Sequence, residues 1–119
     1  MPNNFLLPET TVEKEGAGPA LEVGSSAGRM LMLTMGITKI VEQESLDVSI
    51  WGSGDGNEWG ATPLTEFPQK FYAGIYTILV DLASRPEVRH LQARWKLGRW
   101  GVGSTTPMFR FYIFAEPAP

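Results

Sequence analysis

The stretch LDVSIWGSGDGNEWG, residues 46–60, decides the fold of this chain. It opens with strict alternation, in which Leu46, Val48 and Ile50 fall on one side and the intervening residues on the other. A two-residue period of this kind is typical of a β-strand with one buried face. Four glycines in the next nine residues, with Trp59 just before the last of them, predict a tight polar loop at the end of this strand.

The same alternation recurs in other parts of the chain. The segments that predict further strands are 5–7, 20–23, 29–35, 37–41, 71–82, 89–97 and 108–115. Turn signals separate them about every ten residues, which is typical of a sandwich or a jelly roll. We therefore predict an all-β fold, a single-domain antiparallel β-sandwich that is jelly-roll-like and carries an extended N-terminal arm.

The domain boundaries are predicted from the prolines near both ends. Residues 1–18 are expected to form the arm, 19–115 the β-sandwich domain and 116–119 a C-terminal tail. One alternative is a short helix over residues 82–96, because several apolar residues there have helical spacing. Pro86 and the alternation of polar and apolar residues that follows it argue against that helix.

Composition excludes several classes of function. The chain has 119 residues, of which 43% are hydrophobic and 19% are charged, as in a soluble domain with its own core. Ten basic residues against thirteen acidic ones, without a basic block, predict neither nucleic-acid nor membrane partners. The absence of cysteine excludes disulfides and thiolate chemistry. The first residues do not resemble a secretory signal peptide.

No catalytic constellation is visible. The GSGDG run at 52–56 lacks the Lys–Ser/Thr pair of a phosphate-binding loop. His90 is the only histidine, and its place on the polar side of a strand predicts a solvent-exposed residue. We therefore predict a protein that is not an enzyme and binds no cofactor.

A calcium site is a weak candidate in the glycine loop. Asp55, Asn57 and Glu58 offer three oxygen-bearing side chains within four residues. Asp and Asn next to glycine more often supply turn geometry.

Tryptophans at strand ends and in glycine loops are candidate binding residues. Trp51, Trp59 and Trp100 have this placement. An exposed indole can stack on a sugar ring or anchor a protein interface. The alternative is that each tryptophan closes one end of the sandwich.

Some strands are apolar on both sides, whereas a sandwich needs only one apolar face per sheet. The surplus apolar residues are Met30, Met32, Ile75, Leu79, Tyr112 and Phe114. We expect the arm or another subunit to cover them.

Residues 46–60, with GIYTILVDL at 74–82 and VRHLQARWKL at 88–97, resemble the small β-sandwich proteins of tailed-phage and prophage structural gene clusters. The last two segments are also loosely similar to discoidin-type jelly rolls, although His90 replaces the usual aromatic residue and the framing cysteines are missing. The resemblance covers less than half of the chain. It implies a virion or surface-assembly component, or a glycan-binding module, and no catalytic residue.

We expect a non-enzymatic structural β-sandwich that self-assembles as a homo-oligomer or decorates a larger assembly. The alternative is a carbohydrate-binding module that uses the loop tryptophans. The expected location is a virion or a cell-exterior assembly, reached without a Sec signal peptide; a cytoplasmic location stays open.

Overall fold

The computed structural model describes residues 5–23, 28–40, 44–68, 73–99 and 108–118. These residues contain the strands β1 (Phe5–Val12), β2 (Gly16–Ala17), β3 (Leu21–Glu22), β4 (Met30–Ile40), β5 (Glu44–Ser53), β6 (Thr65–Glu66), β7 (Gly74–Asp81), β8 (His90–Arg99) and β9 (Phe109–Pro117). In the described part of the chain, no helix is long and apolar enough to span a bilayer.

The strands form two antiparallel sheets. Sheet A has the order β1-β9-β4-β7, and sheet B has the order β2-β8-β5-β6, with β3 also paired to β8. Successive long strands alternate between the sheets: β4 lies in sheet A, β5 in sheet B, β7 in sheet A, β8 in sheet B and β9 in sheet A. Each sheet therefore depends on strands that are distant in sequence.

One hydrophobic core lies between the two sheets. Its largest fully buried side chains include Leu31, Leu33, Met35, Phe109 and Phe111 from sheet A and Leu46, Ile50 and Leu91 from sheet B. Within each strand these are alternate residues, because successive side chains of a strand point to opposite faces. The inward faces of β4, β5, β8 and β9 thus follow the alternation in their sequences.

The predicted single-domain β-sandwich is confirmed, and so are the faces of its long strands. In β8, Leu91 and Ala93 are buried, whereas Lys96 on the opposite face is exposed. The helix alternative over residues 82–96 is excluded, because β8 pairs with β5 along its length.

The N-terminal segment is a strand of the sandwich and not a separate arm, which corrects the predicted boundary at residue 18. β1 pairs with β9, and Leu6, Leu7 and Val12 are buried in the core. β2 then pairs with β8 in sheet B. Pro8 lies in an irregular stretch of this edge strand, where a missing amide donor costs little.

Two smaller expectations also need correction. The segments 29–35 and 37–41, predicted as separate strands, form the single strand β4, which continues through Gly36; the irregularity in its pairing with β9 lies between Ile37 and Lys39. At the other end, β9 includes Glu116 and Pro117, and the Ala118 amide donates to the Met30 carbonyl over 2.9 Å. The predicted tail is therefore largely paired.

Candidate functional site

The outer face of sheet A carries a row of exposed and half-exposed apolar side chains. Its most exposed members are Ile75 (71%), Leu79 (57%), Phe5 (40%) and Met30 (39%). Met32, Tyr112 and Phe114 are partly exposed on the same face. All six of the surplus apolar residues predicted from the sequence thus lie on one face. We call this set of seven residues the apolar face.

Strand register brings these side chains together. Phe114 lies opposite Phe5 on one side and opposite Thr34 on the other. The ring centroids of Phe5 and Phe114 are 5.2 Å apart, in an edge-to-face arrangement that aromatic pairs favour. Beside them, a shallow groove of about 530 Å³ is lined by Pro8, Glu9 and Tyr112 as well.

Gly36 and Tyr112 pack against each other on the two central strands of the apolar face. The two residues are partners across β4 and β9, and the Tyr112 ring lies directly over Gly36. A Cβ atom at position 36 would overlap the end of that ring. The glycine therefore provides the space in which the aromatic ring lies against the sheet.

Charged residues occupy one end of this face. Arg110 Nε and Glu9 Oε1 are 4.0 Å apart, and the Thr38 hydroxyl donates to Glu9 Oε2 over 3.0 Å. Both charged side chains are about half exposed, so the ion pair contributes little to stability. Its role is to give the apolar face a polar rim.

A second surface, on the outer face of sheet B, combines tryptophan and arginine. The Arg94 guanidinium lies over the Trp51 ring at 4.1 Å from its centroid and 5.9 Å from that of Trp59. The Trp51 indole N–H donates to the Ser49 hydroxyl over 2.9 Å, and Arg94 Nε donates to Gln92 Oε1 over 2.9 Å. These contacts fix the stack in place.

Trp51 and Arg94 of this stack line a groove of about 550 Å³. Besides Trp51 and Arg94, charged residues of both signs line it: Glu15, Asp47, Glu66 and Lys96. The groove can therefore offer hydrogen-bond donors and acceptors next to an aromatic ring.

The glycine loop after β5 is held by its own polar groups. The Asp55 carboxylate accepts hydrogen bonds from the backbone amides of Asn57 (2.8 Å) and Glu58 (2.9 Å) and from the Ser53 hydroxyl (2.9 Å). Ser53 Oγ in turn accepts from the Gly56 amide over 2.9 Å. Gly56 has a φ of 83°, which favours glycine.

These hydrogen bonds lower the pKa of Asp55 from 3.8 to about 2, with the Glu58 amide as the largest cause, followed by the Asn57 amide and the Ser53 hydroxyl. Backbone amides stabilise the charged form of a carboxylate. In the described residues, no group of three or more acidic or histidine side chains is placed to hold a metal ion. Of the three calcium candidates, Asp55 has its carboxylate hydrogen-bonded to groups of its own loop. This residue therefore stabilises the conformation of the loop.

His90 differs from its prediction. It is half-buried, and its ring lies in contact distance of a Cβ built at Gly56. Its Nδ1 is buried without a hydrogen-bond partner among the residues that the structure describes. The glycine loop thus lies next to the ring, and Gly56 is required there by its positive φ and not by lack of space.

The tryptophan predictions have different outcomes. Trp51 and Trp59 both approach Arg94, whereas Trp100 lies outside the described residues. Sequence reasoning missed Arg94 and Phe5. The alternation in β8 does predict that Arg94 lies on the outward side. It does not predict that Trp51 lies beside Arg94, because that contact depends on the register between β5 and β8.

Comparison of the chain with models of known protein families gave no match, and neither did comparison with curated protein sequences.

Proposed function

We propose that this chain is a non-enzymatic structural β-sandwich that associates with copies of itself through the apolar face, as a component of a larger assembly such as a virion or a cell-surface filament. The supporting observation is the exposure of Ile75 and Leu79 beside an aromatic cluster on the same sheet. Monomeric soluble proteins rarely expose a large contiguous apolar patch, and patches rimmed by polar residues mark interaction sites.

The test is the mass of the purified protein in solution, measured by light scattering over a series of concentrations. A defined oligomer or a growing polymer is expected. The double variant Ile75→Lys/Leu79→Lys is expected to shift the protein to monomer, because lysine on an edge strand opposes association and is tolerated by the fold.

The matched control is Ala17→Lys/Ala20→Lys, which adds the same charge at two exposed positions away from the apolar face, one in β2 and one in the segment between β2 and β3. This control should keep the mass of the unaltered protein. A monomer at every concentration of the unaltered protein would overturn the proposal.

A second candidate function, carbohydrate binding, is favoured by the groove beside Trp51. A sugar ring could stack on Trp51, while the charged side chains of the groove bind its hydroxyl groups. Arg94 already covers one side of that indole, so only the remaining surface is available for stacking. Tryptophan fluorescence titrated with polysaccharides tests this; it fails if no glycan changes the emission, or if Trp51→Ala and Trp59→Ala leave such a change intact.

A further inference from the structure

Strand β7 is an edge of sheet A that lacks the usual protection. It pairs with β4 on one side only, within the described residues. Its sequence GIYTILVD contains no proline or lysine, and its one charge is the terminal Asp81. The opposite edge, β1, contains Pro8 and Glu9 and two register irregularities. Native proteins use such features to prevent pairing of sheet edges, so β7 is the edge open to another strand.

Two hydrogen bonds show which backbone groups of β7 point away from β4. The Leu82 amide donates to the Arg29 carbonyl over 3.1 Å, while the Met30 carbonyl accepts from Ala118 on the other side of β4. Because hydrogen-bonding direction alternates along a strand, the even-numbered residues of β7 bond to β4. The amides and carbonyls of Ile75, Thr77 and Leu79 therefore point to the open edge.

We propose that two copies of this chain pair antiparallel through β7, with Thr77 opposite Thr77 of the second copy and Ile75 opposite its Leu79. This inference rests on the proposed self-association and names its geometry. In this register, every residue whose backbone points outward meets another such residue. The pairing adds a strand to each sheet edge, as in β-augmentation.

Side-chain chemistry also fits this register. The two most exposed apolar residues, Ile75 and Leu79, lie opposite each other twice, and Asp81 lies opposite Ala73. No like charges are opposed, and the Asp81 carboxylate accepts from the amides of Ala83 and Ser84. In the proposed register the twofold axis passes between the two Thr77 residues. An axis at Ile75 or at Leu79 would pair fewer residues of β7, and Ile75 would no longer lie opposite Leu79 of the second copy.

The pairing joins the two copies of sheet A into one continuous sheet. The apolar faces of both copies then lie side by side on its outer surface. A second copy of the chain thus binds the open backbone groups of β7 and also contacts the exposed side chains of that strand.

The chain has no cysteine, so single cysteine variants report the pairing directly. Hydrogen-bonded partners in an antiparallel pair have Cα atoms about 5.5 Å apart, within the range of roughly 4.4–6.8 Å that a disulfide spans. Under mild oxidation, Thr77→Cys is expected to form a disulfide-linked dimer. Thr11→Cys, an exposed threonine on the other edge strand of the same sheet, is the matched control and is expected to stay unlinked.

Register is tested by mixing two variants. Ile75→Cys and Leu79→Cys should link to each other, while each alone should not, because position 75 lies roughly 13 Å along the strand from position 75 of the second copy. Self-linking of either variant in place of the mixed product would overturn the register.

The outcomes separate this inference from the proposed function. An oligomer in light scattering whose Thr77→Cys variant links no faster than Thr11→Cys would overturn pairing through β7 and leave self-association standing. A monomer at every concentration, with no linking of Thr77→Cys, would overturn both. Fast linking of Thr77→Cys together with the mixed product supports the inference.

Discussion

Gly36 and Tyr112 show how one residue can depend on its partner across a strand pair. The ring occupies the space that a side chain at position 36 would need. Glycine inside a strand costs about 0.5–1 kcal/mol relative to alanine. The aromatic ring that packs over it offsets this cost, an arrangement used to rescue glycines in sheets.

We expect the cost of Gly36→Ala to depend on Tyr112. In the unaltered protein the new Cβ forces the Tyr112 ring away from the sheet, so the substitution should lower the free energy of unfolding. In a Tyr112→Ala background it should be neutral or stabilising by up to about 1 kcal/mol. Urea denaturation of the four proteins in this double-mutant cycle measures the difference. Additive effects would contradict the contact.

The Asp55 carboxylate predicts a local pH dependence. Its folded-state pKa of about 2 lies below the ordinary value of 3.8. Its contribution to stability is therefore fully present above pH 3.8 and is lost as the pH falls through about 2. An NMR titration of the side-chain carboxyl carbon should give a midpoint near 2.

Ser53→Ala is the informative comparison for this titration, because it removes one of the donors to Asp55. The pKa of Asp55 should then rise toward its ordinary value. A midpoint near 3.8 in the unaltered protein would show that the loop hydrogen bonds do not persist in solution.

Among the strands, β1 is the one whose place in the sandwich could not be predicted from the sequence pattern. Pro8 and the other N-terminal prolines are typical of an unpaired segment, yet Leu6 and Leu7 are both buried. Two successive residues can both be buried here because the register with β9 shifts next to them. A strict two-residue period cannot predict such a shift.

Leu6→Ala tests whether β1 belongs to the core. The side chain is fully buried, so we expect the free energy of unfolding to fall by about 2–5 kcal/mol. Thr11→Ala, on the exposed side of the same strand, should change it by less than about 0.5 kcal/mol. Thermal or urea denaturation gives both values. Equal, small effects would mean that the N-terminal segment is a detachable arm.

The long strands could be predicted because their burial follows the alternation of their own residues. Ile75 and Leu79 were placed correctly on the outer side of β7, and Leu91 on the inner side of β8. The stacking of Arg94 on Trp51 could not be predicted, because it depends on the register between β5 and β8. That β7 is an edge strand depends on the order of strands, which local patterns do not contain.

At the scale of the whole molecule, the proposed association joins neutral surfaces. Ile75, Thr77 and Leu79 carry no charge, and the Glu9–Arg110 pair lies at the rim. Burial of apolar surface should therefore contribute most of the free energy of association, and screening of charges by salt should change that free energy little.

We therefore expect the association constant to be nearly independent of added salt and to fall on cooling, because hydrophobic stabilisation weakens at low temperature. Light scattering at several salt concentrations and temperatures measures both effects. Dissociation on addition of salt would instead indicate an interface held by ion pairs.

The pairing of β1 with β9 has a consequence for the newly made chain. The ribosome releases β1 long before β9 exists, so Leu6 and Leu7 have no strand to pair with while the rest of the protein is synthesised. Domains whose contacts span such sequence distances fold slowly and expose apolar surface until they close. Sheet A can be completed only after β9 emerges, and a ribosome that stalls before that point leaves a nascent chain whose first strand is a target for chaperones.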